Sequence, residues 1–251
     1  MKTQLFAAAA VLALAVSAPA FAQQVGSVGA AYNWTQIEAG PFKTDGASAN
    51  IDGSVALKTQ SPWTVTLNGA ANVANNDFGN DTTAAGAVHA TYAYADARFG
   101  GFVAAANPGN DNLFAVGLEG QKYLSDVTLA GVVAYGKADK ADADLWGARG
   151  EVRYFVTDDF RLDAGLGYTK VSANGGDTDV WTTGVGGEYK LAASPWSLFG
   201  AYAHSEANDF DIKSDTVNVG ARYTFGGSLK TRDHAGADLV DVNTLFGAGV
   251  R

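Results

Sequence analysis

The chain has 251 residues, a formal charge of −9 and no cysteine. The acidity argues against a nucleic-acid binder, and the missing cysteine excludes a disulfide framework, thiolate metal sites and thiol nucleophiles. Disorder is excluded too: 11% of the residues are aromatic, and aromatic and β-branched residues recur along the whole chain.

The first predicted element is a leader. Lys2 gives a positive start, Leu5 to Val16 is an unbroken apolar run, and Ala20-Phe21-Ala22 fits a small-x-small cleavage site. The run is shorter than the ~20 residues that cross a bilayer as a helix. Residues 1–22 therefore read as a secretory signal peptide cut after Ala22. No later segment has 18 consecutive apolar residues, so no transmembrane helix is expected.

From Val28 to Phe225 the apolar residues recur with period two, the spacing that puts them on one face of a strand. Twelve strands follow in order. The first carries Val28, Ala30, Tyr32 and Trp34 on its apolar face; the second Ile51, Gly53, Val55 and Leu57; the third Trp63, Val65, Leu67 and Gly69. The fourth carries Val88, Ala90, Tyr92 and Tyr94; the fifth, the weakest, Phe99, Gly101 and Val103; the sixth Phe114, Val116, Leu118 and Gly120. The seventh, Val127 to Tyr135, is apolar on both faces, and the eighth carries Trp146, Ala148, Gly150, Val152 and Tyr154. Phe160 to Tyr168, Trp181 to Tyr189, Trp196 to Tyr202 and Val217 to Phe225 complete the set.

A soluble sandwich also alternates, but three features favour a membrane barrel. Aromatic residues sit at the ends of the apolar face: Trp63, Tyr94, Tyr154, Tyr189, Trp196 and Tyr223 beside short turns, and Trp34, Tyr135, Trp146 and Trp181 beside long loops. These would be two girdles around an aliphatic band. Short connections (59–62, 95–97, 124–126, 156–159, 192–195) alternate with longer polar ones (36–48, 74–84, 106–112, 136–144, 170–179, 205–215), as periplasmic turns alternate with outer loops. The other face is polar or small, apart from Phe102, Val132 and Phe199. Backbone groups in lipid must all be paired, so the sheet must close. The predicted fold is all-β: a transmembrane antiparallel up-and-down β-barrel over residues 23–225.

Several segments resemble one family: the leader ending Ala20-Phe21-Ala22, Val116-Gly117-Leu118-Glu119-Gly120-Gln121-Lys122-Tyr123, and Val219-Gly220-Ala221-Arg222-Tyr223-Thr224-Phe225. They are similar to small Gram-negative outer-membrane porins of the alphaproteobacterial type. The resemblance makes Tyr223 and Phe225 the assembly signal. It implies an outer-membrane location, contact with membrane lipid and with the outer-membrane assembly machinery, and a possible homo-oligomer. That signal usually ends the chain, whereas residues 226–251 follow here. They are expected to be a C-terminal periplasmic extension; a plug entering the lumen from below, a further strand pair and a periplasmic docking segment are the alternatives.

No catalytic constellation, cofactor or metal site is expected. His204-Ser205-Glu206 is the sole His/Ser/acid cluster, and neighbouring strand residues point to opposite faces. His89 reads as a lone lining residue, and Asn75, Asn76, Asp77, Asn80 and Asp81 as a solvated loop rather than a Ca²⁺ site. The informative set is an inward charge belt: Arg98, Glu119, Glu151, Arg153, Arg161, Asp163, Glu188, Lys190 and Arg222. Charges of both signs can set a field across a constriction or pair and fill the barrel. Twelve strands tilted ~40° give a diameter of roughly 24 Å and an opening of about 12 Å. The function expected is a passive diffusion channel for small hydrophilic solutes and ions. A non-conducting structural or surface-interaction barrel acting through its loops or tail is the alternative. Like charges directly opposed are destabilising, so the 156–159 turn is expected to set Arg153 opposite Asp163.

Overall fold

The structure is a computed structural model that describes residues 24–76, 79–108, 111–174, 176–240 and 242–246. The predicted leader lies outside these residues, as do the side chains of 75–81. Twelve strands form one closed antiparallel barrel: β1 (Gln24–Ala39), β2 (Phe42–Lys58), β3 (Trp63–Asn76), β4 (Gly79–Tyr94), β5 (Ala97–Asn107), β6 (Leu113–Tyr123), β7 (Val127–Ala138), β8 (Ala143–Thr157), β9 (Phe160–Ala173), β10 (Gly176–Lys190), β11 (Trp196–Ala207) and β12 (Ile212–Phe225). Each strand pairs with its sequence neighbours, and β1 pairs with β12 from Gly26↔Phe225 to Ala39↔Ile212. No edge remains open.

The barrel is inside out relative to a soluble protein. Tyr94, Leu118, Trp146 and Val185 are more than half exposed, whereas Thr66, Thr91 and His89 are fully buried. The outward aromatics stack in cross-strand pairs at the strand ends: Trp63 on Tyr92, Phe160 on Tyr189 and Trp196 on Tyr223 at one end, and Tyr135 on Trp146 and Tyr168 on Trp181 at the other. Their ring centroids lie 4.9–6.0 Å apart, the range in which edge-on and offset ring contacts add to area burial. Trp34, Tyr94 and Tyr154 also face outward near strand ends.

Two features differ from the sequence reading. The long connections are mostly strand: β1 and β2 continue to a turn at 40–41, and β9 and β10 extend to Ala173 and from Gly176. Ladder hydrogen bonds extend these hairpins where no apolar face marks them. The larger correction concerns the expected periplasmic extension. After Phe225 the chain reverses at Gly226 (φ 82°) and Gly227 (φ 148°), conformations that suit glycine. It then enters the barrel as α1 (Leu229–His234), an irregular stretch and α2 (Val242–Phe246). Leu229, Arg232, Asp233 and Ala237 are fully buried there. The cause is complementarity: the inward face supplies unlike charges and an apolar strip that the tail matches.

Candidate functional site

The site is the lumen together with the tail inside it. Inward positions of β8–β10 and β12 bring Glu151, Arg153, Arg161, Asp163, Glu188 and Arg222 into one network, as strand parity requires. Arg153 stands opposite Asp163 across the 156–159 turn, the register expected from charge. The side chains, however, take other partners. Arg153 binds Glu151 Oε2 (2.6 Å) and the tail's Asp233 Oδ1 (2.5 Å), while Asp163 pairs with Arg161.

The tail carries its own charges into this network. Arg161 donates to Asp238 Oδ2 at 2.6 Å. Arg232 donates to Glu188 Oε2 at 2.6 Å, to Thr224 Oγ1 at 2.8 Å and to Asp238 Oδ1 at 2.9 Å. Glu188 also receives Arg222 at 3.2 Å and the Ser197 hydroxyl at 2.5 Å, and Arg222 reaches Asp52 at 3.0 Å. Buried ions are tolerated only when paired and hydrogen-bonded in this way.

The remaining belt residues lie apart from this network. Arg98 donates to Thr91 Oγ1 (2.9 Å), Tyr123 Oη (3.2 Å) and the His234 carbonyl (3.2 Å). Glu119 joins His89 Nδ1 at 2.7 Å, and His89 Nε2 meets Asn68 at 2.9 Å. His89 is therefore not the lone lining residue expected from sequence. Lys190 sits at the turn-side rim, 3.6 Å from Asp159.

Backbone carbonyls of the tail are held as well. Ser54 donates to Ala237 O (2.6 Å), Thr66 to Gly236 O (2.8 Å), Gln121 to Asp238 O (3.3 Å) and Thr169 to Leu245 O (3.1 Å). Beyond Asp238 the contacts turn apolar. Val240 and Leu245 pack with Phe102, Ala104, Leu113, Ala115, Val132 and Ala134, and Phe246 lies against the same cluster. Two of the apolar exceptions to the polar face, Phe102 and Val132, are thus the seat of the tail, and the third, Phe199, lies under the Arg222 guanidinium at 4.4 Å. Sequence reasoning left Asp52 and Arg149 out of the belt although both have inward parity. It left out Arg232, Asp233 and Asp238 because the tail was placed outside the barrel.

His234 stacks on Tyr123 (ring centroids 4.3 Å apart) and meets the edge of Phe155. Burial holds its imidazole below the ordinary value, against the attraction of Asp233; Lys230 and Arg98 push the same way as burial, and Asp158 opposes them. A depressed folded value means that docking is favoured fully above the free histidine value of about 6.5 and loses that contribution as pH falls through the folded value. Proteolysis of the tail, at matched protease activity, is expected to quicken as pH drops from about 7 to about 5.5. His234→Phe should flatten that dependence; an unchanged slope would assign it to another group.

His204 and Ser205 face opposite sides of β11. Ser205 shares a hydrogen bond with Thr182 (3.0 Å), and His204 Nδ1 with Asp215 (2.9 Å). Among the described residues no group of His, Cys, Asp and Glu could hold a metal ion.

A closed barrel with an apolar exterior and a charged, polar interior is an outer-membrane β-barrel. The chain belongs to the Gram-negative porins, whose family model matches residues 26–243. The fold is similar to an outer membrane channel from Pseudomonas putida F1, at 15% identity and a TM-score of 0.57, covering 80% of this chain and 96% of that one. It is also similar to the translocator domain of the autotransporter NalP from Neisseria meningitidis, at 12% identity and a TM-score of 0.51, covering 89% and 95%. No curated protein matches by sequence.

Proposed function

We propose that this outer-membrane channel passes small hydrophilic solutes and ions by passive diffusion. The observation that carries the reading is the lining. On β1, β2 and β3 the inward residues Asn33, Thr35, Ser48, Asn50 and Asn72 are uncharged, polar and partly exposed. Below them Asp52 and Asp163 keep 27% and 26% of their side-chain surface exposed, so water reaches into the charge belt. Hydroxyl, amide and carboxylate groups replace hydration contacts of a passing solute. Planar-bilayer recording of the purified full-length protein tests this, with discrete conductance steps expected.

A second reading, a non-conducting structural or surface-interaction barrel, is favoured by one observation: the tail occupies the lumen, from Leu229 near the turns to Leu245 and Phe246, which pack in one cluster with Leu113 and Leu145 near the long-loop ends of β6 and β8. A protein that inserts and gives no steps with or without the tail would support it. Catalysis forms no part of either reading, since His204 and Ser205 cannot act together.

The same proposal has the chain exported with its leader cut after Ala22, which the intact mass of the purified protein reads directly. The outward aromatics would contact outer-membrane lipid, and Tyr223 and Phe225 would be read by the outer-membrane assembly machinery. Oligomerisation would use the lipid-facing row Gly120, Gly131 and Gly150, which adjoin across neighbouring strands.

A further inference from the structure

We infer that the segment seen at residues 228–240 and 242–246 is a displaceable plug: the seated form closes the lumen, and conduction requires the segment to withdraw toward the turn-side mouth. The inference rests on the channel reading above and adds its regulation.

Three observations carry it. The first is position. Ser54, Thr66, Gln121 and Thr128 reach the segment from strands distributed round the wall, so it stands across the bore rather than along one side. Arg232, near the middle of this layer, is fully buried. The second is that the seat is built for this segment. Asp233 meets Arg153, Asp238 meets Arg161, and Arg232 meets Glu188, each within 2.6 Å. The sheet closes without these contacts, since every strand already has two neighbours. A water channel has no use for an inward Phe102 and Val132; a docked Leu245 covers them.

The third is the means of leaving. The segment leaves the sheet at Phe225 through Gly226 and Gly227, both at positive φ. No described residue of it belongs to the sheet, so their withdrawal breaks no ladder hydrogen bond. The contacts to be broken are side-chain ion pairs, hydrogen bonds to a few carbonyls, the bond from Lys230 N to Asp158 O and two apolar patches. That makes the segment a unit that opens below the free energy of global unfolding. Its apolar end needs the barrel wall to stay dry, so the seated form is the resting one.

Planar-bilayer recording of three proteins tests the inference. The native chain is compared with one truncated after Gly227: the unitary step should be the same, since both conduct with the segment out of the bore, but the truncated pore should be open at least about three-fold more of the time. Equal open probability from both would overturn the plug and leave the channel reading standing. No steps from either, with heat-modifiable migration proving a folded barrel, would overturn both.

The third protein keeps every segment in place. The chain has no cysteine, so Ser54→Cys with Ala237→Cys gives a single tether at a contact of 2.6 Å between the Ser54 hydroxyl and the Ala237 carbonyl. Oxidised, it should hold the pore shut; reductant should restore conduction in the same preparation. Identical records before and after reduction would overturn the plug even if the truncated chain fails to fold.

Discussion

Replacing Glu188 by alanine is expected to destabilise the folded barrel by about 3–5 kcal/mol, the usual effect of removing one partner from a buried ionic cluster. Glu188 is 2% exposed. Its two oxygens accept from Arg232, Arg222 and Ser197, and Arg161 stands 3.6 Å away. Three guanidinium groups from β9, β12 and the tail therefore converge on one carboxylate. Without it they face one another where water cannot screen them. Equilibrium urea unfolding in lipid or detergent reads the change. A midpoint within error of the native protein would show that Asp52, Asp163 and Asp238 neutralise the cluster alone.

The same cluster broken from the other side should give a different result. Arg232→Ala is expected to leave the strands protected and to speed hydrogen exchange of residues 229–240 by about two to four orders of magnitude, the equivalent of about 3–5 kcal/mol at a factor of ten per 1.4 kcal/mol. The distinction follows from where each residue sits. Glu188 is part of the closed sheet, whereas Arg232 belongs to a segment that can leave and take its own carboxylates, Asp233 and Asp238, into water. Peptide-resolved exchange separates the two outcomes. Equal acceleration in β8–β10 would show that tail and barrel open as one unit, and no acceleration would place the hold on the apolar seat.

Much of this was legible in the sequence. Alternation from Val28 to Phe225 gave the strand number, the closure and the identity of the inward face, because a pleated strand has no other way to separate its side chains. Charge alone foretold the register of Arg153 against Asp163. The upper reaches of the hairpins were not legible, since a stretch such as Lys43–Asn50 leaves the apolar band and both of its faces are polar or small. The tail was misplaced for a different reason. Its sequence holds the needed signals, with Arg232, Asp233 and Asp238 first and Leu239, Val240, Leu245 and Phe246 after. Its partners lie on strands from β2 to β12, and alternation says nothing about which inward residues face something other than water. Phe102 and Val132 were the clue: two large apolar side chains at positions where a bore should be wet.

The pairing of β1 with β12 sets an order of events. Gly26 meets Phe225 only when the last strand has been delivered, and the seat for Arg232 is shared by β10 and β12. None of these sites exists as a set before the cylinder is complete. The tail is thus the last of the described elements to find its place, and while it waits, the barrel is a hollow cylinder. Every molecule therefore begins its life in the form that the plug later hides, and a newly inserted population should leak before it seals.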